Sequence, residues 1–438
     1  MCTNFFKSLL VTTGLLIGLQ AQAAVKIEHW QTSTGAEVYF VENHDLPIID
    51  ISTNFAAGTA RDEKAKAGLA GITRHLMTLG AAGLSDEDIS KRMADVGAQM
   101  GGELDADRAA FSLRTLSSAR EREQAMDIYS KILQQPDFPA EVLEREKARI
   151  VAGLKEAATQ PESISSKAFM TALYGNHPYA LEESAEPETV IAIKREDLQK
   201  FYSTYYGAKN AVIALIGDMS REDAAKTAER ITSGLPNAPR ASAVPAVSYP
   251  TQANVQRIPH PASQSHILLG YPGMKRGDPD YFVLYVGNYI LGGGGFVSRL
   301  TEEVREKRGL VYSVYSYFIP MAELGPFQIG LQTKTEQAED ALKLVHETLD
   351  KFISQGVTEA ELTAAKQNII GGFPLRLDSN SEILNYLAVI GFYRLPLTYL
   401  DDFNQHVSQV TAVQIKDAFG RRIKTDKLVT VIVGGNKQ

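Results

Sequence analysis

The sequence predicts the α+β fold class, with two homologous domains that each form a mainly antiparallel sheet packed with helices. Three observations support this prediction: segments with strand-like alternation, long amphipathic helices that follow one another, and pairs of similar segments at a nearly constant offset. A strict succession of strand and helix would favour a parallel sheet, whereas the mixture found in this sequence favours α+β.

The elements of the first half follow from their hydrophobic patterns. Residues 37–41 and 50–55 alternate as the two strands of a hairpin would. The same patterns predict two further strands and two long helices, at 109–113 and 211–216 and at 117–134 and 139–157 respectively.

Three pairs of similar segments indicate an internal duplication. Their offsets are 218, 219 and about 215 residues, so each weak match supports the others. A period of this length indicates two related domains and excludes a solenoid. The pairs are Lys209–Asp218 with Lys427–Asn436, Pro139–Leu154 with Thr358–Phe373, and Asp50–Asp62 with Ser265–Asp278.

A proline-rich stretch separates the two halves. Ser233–Gln252 contains four prolines and several small residues, a composition typical of an extended, semi-rigid linker. The predicted organisation is therefore a signal peptide at 1–23, a first domain at 24–235, a linker at 236–252 and a second domain at 253–438.

The N-terminus has the pattern of a secretory signal. Lys7 precedes the apolar run Ser8–Leu19, which is short for a membrane span, and Ala21-Gln22-Ala23 offers a small-residue cleavage site. Cleavage after Ala23 would remove Cys2, the only cysteine, and leave a chain suited to an oxidising compartment. We expect a periplasmic protein, with an N-terminal membrane anchor as the alternative.

Composition excludes several functional classes. The chain has 438 residues, 44% hydrophobic and 22% charged, which is ordinary for a globular protein and unlike a disordered chain. Acidic residues outnumber Lys and Arg by 52 to 45, so no nucleic-acid partner is expected. A single cysteine excludes a disulfide framework and a cysteine-based metal cluster. No stretch beyond the N-terminal one approaches a stable membrane span.

One segment of the first half resembles a metal-binding helix. Gly68–Leu76, with the sequence GLAGITRHL, resembles the Gly-Leu-Ala-His-x-x-Glu-His segment of the insulinase/pitrilysin-type metallopeptidases, the inverzincins. In that pattern H-x-x-E-H places two histidines on one helical face to bind zinc, and the glutamate activates the zinc-bound water. A glutamate on a second helix completes the ligand set of the family.

The resemblance implies that this chain has lost its own zinc site. Gly71 stands at the first histidine position and Arg74 at the position of the general base, while His75 alone is retained. Aligning the second helix on Pro161 places Gly153 at the position of the third ligand. One imidazole cannot hold a catalytic zinc, so no metal is expected on this chain and His75 is interpreted as a packed helix residue.

A more specific resemblance lies in the second half. Leu291–Tyr317 closely resembles the glycine-rich loop of the family, followed by a helix ending in Arg-Glu-Lys-Arg-Gly-Leu and a strand with alternating Tyr and Ser. In the family an Arg and a Tyr seven residues later hold the substrate peptide, and Arg305 and Tyr312 have that spacing. Arg308 is the rival for the same role. The charge-rich stretch could also be a solvated helix face.

The resemblance implies that the two domains form one half of a clam shell that closes around unfolded peptide. The expected function is that of the substrate-binding subunit of a heterodimeric zinc metalloendopeptidase, whose zinc sits on a homologous partner with an intact H-x-x-E-H. The chain alone would then be inactive. The alternative is a non-enzymatic peptide-binding or structural subunit of another complex; a lone active peptidase is the third interpretation.

Overall fold

The computed structural model describes residues 25–435, so the predicted signal peptide and its cleavage site lie outside the described residues. Two large sheets and one short two-stranded ribbon organise this part of the chain. The strands are β1 Glu28–Gln31, β2 Glu37–Glu42, β3 Ile48–Phe55, β4 Gly80–Ala81, β5 Leu84–Ser85, β6 Gln99–Gly101, β7 Ala109–Leu116, β8 Ala211–Gly217, β9 Asn254–Ile258, β10 Gln264–Met274, β11 Val311–Phe318, β12 Gly325–Lys334 and β13 Val429–Val433.

Helices cover the sheets and connect their strands. They are α1 Leu69–Met77, α2 Asp86–Ala94, α3 Ala119–Gln134, α4 Ala140–Ala157, α5 Pro161–Tyr174, α6 Pro187–Ala192, α7 Arg195–Tyr205, α8 Arg221–Thr232, α9 Tyr281–Asn288, α10 Ala338–Gln355, α11 Glu359–Gly372, α12 Asn380–Tyr393, α13 Tyr399–Gln409 and α14 Ala412–Arg422. None of these helices is both long and apolar enough to cross a membrane.

The first sheet has the order β1-β2-β8-β3-β7-β6, and the second has the order β9-β13-β10-β12-β11. All neighbouring pairs are antiparallel except β2 with β8 and β9 with β13, which are parallel. The predicted mainly antiparallel α+β class is therefore confirmed.

The prediction that residues 37–41 and 50–55 pair as a hairpin is wrong. These residues lie in β2 and β3, which are not neighbours in the sheet. Strand β8 lies between β2 and β3, parallel to the former and antiparallel to the latter. Every residue of β8 is buried, and such a continuously buried strand is most stable in the middle of a sheet. This long-range insertion separates two strands that are close in sequence.

The duplication is visible in the topology. The three pairs of similar segments fall on β8 and β13, on α4 and α11, and on β3 and β10. In each sheet the strand from the end of the half occupies the same interior position and pairs in parallel with the strand from its beginning. Residues 236–252, between α8 and β9, form neither helix nor strand.

Each half contributes one helix that packs on the sheet of the other half. Helix α5 of the first half packs on β10 and β13, whereas α12 of the second half packs on β8 and β3. The apolar residues of α5, including Phe169 and Leu173, share a core with Val429 and Val431 of β13. This exchange buries apolar surface from both halves in common cores and fixes their relative orientation.

Candidate functional site

Helix α1, which carries three of the four residues at the degenerate metal positions, begins at a buried acidic cap. Gly68 adopts a φ of 101°, which allows the chain to turn into the helix. The carboxylate of Asp62 accepts hydrogen bonds from the amides of Gly68 and Ala70, both at 2.8 Å. Burial raises the pKa of Asp62 to about 7, although these amide contacts act in the opposite direction.

His75 on α1 faces a carboxylate on α4. Its Nε2 lies 3.0 Å from Glu146 Oε2 and 3.1 Å from Nη2 of Arg149, so the ring either donates to Glu146 or accepts from Arg149. Burial alone would raise the pKa of Glu146, but hydrogen bonds from His75 and Arg145 and the charge of Arg149 lower it. This packed, charge-compensated position agrees with the interpretation of His75 as a structural residue.

Two glycines leave space at the metal-ligand positions. Gly71 is one helical turn before His75, and a Cβ added there would meet only Leu104, at 3.4 Å. A Cβ added at Gly153 on α4 would meet no atom within 4 Å. The local backbone therefore has room for a Cβ at both positions.

Arg74 is directed against the sheet. Its Nε donates a 2.9 Å hydrogen bond to the carbonyl of Ala110 on β7, and its guanidinium lies 5.3 Å from the ring centroid of Phe111. Burial lowers the pKa of Arg74. A guanidinium in this position has no capacity to accept a proton from water, so it cannot replace the missing glutamate.

The donor set of this region does not fit a zinc ion. Within residues 25–435 no group of three or more His, Cys, Asp or Glu side chains is arranged to hold a metal. His75 and Glu146 supply one nitrogen and one carboxylate, and the latter is held by Arg145 and Arg149. Two donors already bound to cations do not form the four-coordinate site that zinc prefers.

Arg305 lies in the second half, on a π-helical turn that spans Thr301–Glu306. Its guanidinium lies 5.0 Å from the ring centroid of Phe296 and 6.0 Å from that of Tyr312. The closest carboxylate contact is long, 3.8 Å to Glu306. The structure therefore brings the two predicted substrate-binding side chains together.

The neighbouring cations are held by carboxylates. Arg308 donates to Oε2 of Glu303 at 3.0 Å and to the carbonyl of the same residue. Lys307 contacts Glu303 at 2.7 Å and Glu302 at 2.9 Å. These contacts distinguish Arg305 from its rival Arg308, because within residues 25–435 the only carboxylate contact of the Arg305 guanidinium is the 3.8 Å one to Glu306.

Tyr312 is presented by a β-bulge at the edge of the second sheet. Val311 pairs with Thr333 and Ser313 with Gln332, which leaves Tyr312 as the extra residue of β11. A bulge redirects the side chain of its strand, and the Tyr312 side chain is 77% exposed. Its hydroxyl is consequently available to donate a hydrogen bond.

The glycine-rich segment allows a close approach of backbones. A Cβ added at Gly292 would lie 2.6 Å from the backbone nitrogen of Ser316 on β11. Just beyond the run, Phe296 and Val297 are 73% and 75% exposed, and the ring of Phe296 lies 5.0 Å from the guanidinium of Arg305. The exposed surface around Arg305 thus combines donors with apolar area.

One buried polar cluster was not found from the sequence. Asp107 precedes β7, and its carboxylate accepts from the hydroxyl of Tyr179 at 2.8 Å, the amide of Ala322 at 2.7 Å and the hydroxyl of Tyr393 at 3.0 Å. Ala322 and Tyr393 belong to the second half. No local sequence signal marks such a cluster, since its members are up to 286 residues apart.

The segment His177-Pro178-Tyr179 connects two parts of the chain. His177 accepts a hydrogen bond at Nδ1 from the amide of Tyr179 and donates from Nε2 to the carbonyl of Pro245 in the linker. It therefore ties the turn after α5 to the chain that connects the halves.

Comparison with protein-family models places two matches along the chain. The model described as "Insulinase (Peptidase family M16)" matches residues 39–185, and that described as "Peptidase M16 inactive domain" matches residues 192–369. The first match contains the degenerate positions at Gly71, Arg74 and Gly153, and the second contains Arg305 and Tyr312.

Individual relatives cover almost the whole chain. A crystal structure of a peptidase M16 inactive domain from Pseudomonas fluorescens is 38% identical, with a TM-score of 0.91, and the alignment covers 94% of this chain and 98% of that one. The non-peptidase homolog YmxG of Helicobacter pylori is 27% identical over 99% of both chains. An uncharacterized zinc protease of Streptomyces coelicolor is 26% identical over 83% of this chain and 81% of its own.

Proposed function

The chain belongs to the insulinase family of peptidases, family M16, and from that premise we propose that it is the substrate-binding subunit of a heterodimeric zinc metalloendopeptidase. It is a peptidase homologue in which two of the three zinc-ligand positions and the general-base position of the family are changed. Its partner would be a homologous chain with an intact H-x-x-E-H, and the substrate would be unfolded peptide. Both chains would be exported to the periplasm.

The observation that carries this proposal is the contrast between two sets of residues. Gly71, Arg74 and Gly153 replace two zinc ligands and the general base of the family, whereas Arg305 and Tyr312 remain and lie together. Within residues 25–435 the nearest carboxylate oxygen to the Arg305 guanidinium is 3.8 Å away. A half-buried arginine that only stabilised its own helix would be expected to pair with a carboxylate at shorter range, as Arg308 does. This asymmetry supports a role for Arg305 toward a ligand.

The chemistry of the pair suits a peptide backbone. A guanidinium presents several N–H donors in a fixed fork, and a phenol adds one O–H donor. Such donors hold the carbonyl oxygen of a peptide and gain strength as negative charge develops on it. The adjacent Phe296, which is exposed, would contact an apolar side chain of the same peptide.

Reconstitution tests the proposal. The purified chain should contain no stoichiometric zinc by elemental analysis and should not cleave an unfolded peptide such as reduced casein. Addition of the purified H-x-x-E-H homologue from the same host should create cleavage that a chelator abolishes. A stable complex without activity would favour the alternative of a structural subunit, and chelator-sensitive cleavage by the isolated chain would contradict the proposal.

A further inference from the structure

Strand β9 is the outer strand of the second sheet, and the duplication identifies its counterpart in the first. Asn254 pairs with Val429 just as Glu37 pairs with Val212, so β9 and β2 occupy the same register 217 residues apart. In the first sheet β2 is covered by the antiparallel strand β1. In the second sheet no strand within residues 25–435 covers β9.

The sequence explains why the covering strand is missing. The residues 217 positions after β1 are 245–248, which lie in the linker and include Pro245, a residue without an N–H for a ladder. Instead of pairing with β9, Val247 is buried in the core between the halves, and the carbonyl of Pro245 is bound by His177. The segment that would cover the edge is therefore used elsewhere.

The open edge presents unpaired backbone groups. The amide of Asn254 donates to the carbonyl of Leu428, and the carbonyl of Ile258 accepts from the amide of Gly434. The backbone N–H and C=O groups of alternate residues of β9 therefore point toward β13. The N–H and C=O groups of Val255 and Arg257 consequently point away from the sheet, and within residues 25–435 they have no partner. The Val255 side chain is 56% exposed.

An apolar groove runs beside this edge. It has a volume of about 590 Å³ and lies between β9, the end of α4 and the outer side of α5. Leu154, Ile164, Ala168 and Ile258 line it, and Gln256 and Ile258 face it from β9. His260, just beyond β9, donates to the carbonyl of Thr159 and holds the α4–α5 turn beside the groove.

We infer that the open edge of β9 binds an extended stretch of unfolded peptide as an added antiparallel strand, with alternate apolar side chains seated in this groove. The occupant is assigned from two features. The equivalent edge in the first half is filled by an antiparallel strand, and the groove starts at Leu154, directly after Gly153 at the degenerate metal site. Edge pairing gives affinity through the backbone, while the groove selects apolar side chains. The inference rests on the proposed function for its substrate class.

Fluorescence anisotropy with a labelled probe tests the inference. The probe is a fluorescein-labelled nine-residue peptide of alternating Val and Thr, and its control carries proline at the central Val positions. The isolated chain should bind the first peptide and not the second. Failure to bind the first, or equal binding of both, would overturn the inference.

A matched pair of variants locates the site. Val255→Pro removes only an outward N–H, because residue 255 makes no ladder bond to β13, and should weaken peptide binding by about tenfold. Val255→Ala keeps the N–H and should bind as the original chain does. Ala168→Arg, which fills the groove without altering β9, should also weaken binding. Unchanged affinity in both Val255→Pro and Ala168→Arg would overturn the assignment.

Light scattering separates a second copy of the chain from a peptide as the occupant. The chain should be monomeric at the assay concentration; a dimer that Val255→Pro dissociates would overturn the inference in favour of edge-to-edge pairing between two copies. Probe binding by the isolated chain and cleavage by the reconstituted complex are measured separately. Probe binding that Val255→Pro weakens, in a chain whose complex never cleaves, would contradict the proposed function and leave the edge site standing. Cleavage that depends on Arg305 and Tyr312, with probe affinity unchanged in Val255→Pro, would overturn the edge site alone.

Discussion

The hydroxyl of Tyr393 at the end of α12 donates a 3.0 Å hydrogen bond to Oδ2 of Asp107 in the first half. The same carboxylate accepts from Tyr179 and from the amide of Ala322. One buried side chain of the first half thereby satisfies two donors of the second, at the junction where the two halves exchange helices.

Asp107→Ala should strongly destabilise the chain. The substitution leaves the buried hydroxyl of Tyr179 and the partly buried hydroxyl of Tyr393 and amide of Ala322 without this acceptor. Each buried unsatisfied donor costs about 1–3 kcal/mol, and a partly buried donor costs less. Tyr393→Phe removes one hydrogen bond but leaves no buried donor, so it should cost only about 1 kcal/mol. Urea unfolding measures both, and an equal effect of the two variants would contradict the central role of Asp107.

Gly153→Ala should stabilise the chain. Gly153 lies inside α4 with no atom within 4 Å of an added Cβ, and replacing glycine by alanine in a helix interior contributes about 0.5–1 kcal/mol. The control is Gly58→Ala, where a Cβ would lie 2.4 Å from the carbonyl oxygen of Ala106 and should destabilise. Destabilisation by Gly153→Ala would show that this position is more crowded than its open environment implies.

Restoring the family ligands should create a metal site. The combination Gly71→His, Arg74→Glu and Gly153→Glu would place two imidazoles one helical turn apart, opposite a carboxylate on α4. The variant should bind about one zinc per chain by elemental analysis after dialysis, and Gly71→Ala with Gly153→Ala should bind none. A folded triple variant without zinc would show that the two helices no longer hold the required geometry.

The contribution of Asp62 to the stability of the chain should fall as the pH rises from about 4 to about 7. Burial raises the pKa of Asp62 to about 7 in the folded chain, whereas the unfolded chain releases this proton near its ordinary value of 3.8. In that window the folded state holds more protons than the unfolded state, so a rise in pH favours unfolding. Burial also raises the pKa of Glu182 to about 7, which adds to the same slope.

Asp62→Asn isolates the contribution of one group to that slope. The amide does not titrate, so the decline of the unfolding free energy between pH 4.5 and pH 7.5 should be shallower in the variant than in the original chain. Urea unfolding at three pH values gives the slope independently of any change in absolute stability. Identical slopes would contradict the assignment of a raised pKa to Asp62.

Local patterns were sufficient to predict much of this molecule. The repeated segments around Lys209 and Lys427 fall on equivalent central strands, and the long helices were placed to within two residues at their starts. The resemblance of Leu291–Tyr317 to the family implied the pair Arg305 and Tyr312, and the Arg305 guanidinium lies 6.0 Å from the ring centroid of Tyr312. In each case the signal lies within one contiguous segment.

Features that depend on distant residues were missed. The insertion of β8 between β2 and β3 joins segments about 160 residues apart, and a period-two pattern does not reveal which strands are neighbours. The sequence signal for a central strand was the continuous apolar run of β8, whose residues are all buried in the structure. Likewise, nothing near Asp107 in the sequence indicates that its partners would be Ala322 and Tyr393.

Turnover of the reconstituted heterodimer tests the central claim most directly. Arg305→Ala combined with Tyr312→Phe should lower kcat by roughly 10²–10³-fold, the loss typical of removing transition-state donors, while the complex still assembles. The matched control is Arg308→Ala, whose guanidinium is held by Glu303 and which should leave turnover unchanged. Full activity of the double variant, or equal loss in the Arg308→Ala control, would contradict the assignment of Arg305 and Tyr312 to the substrate.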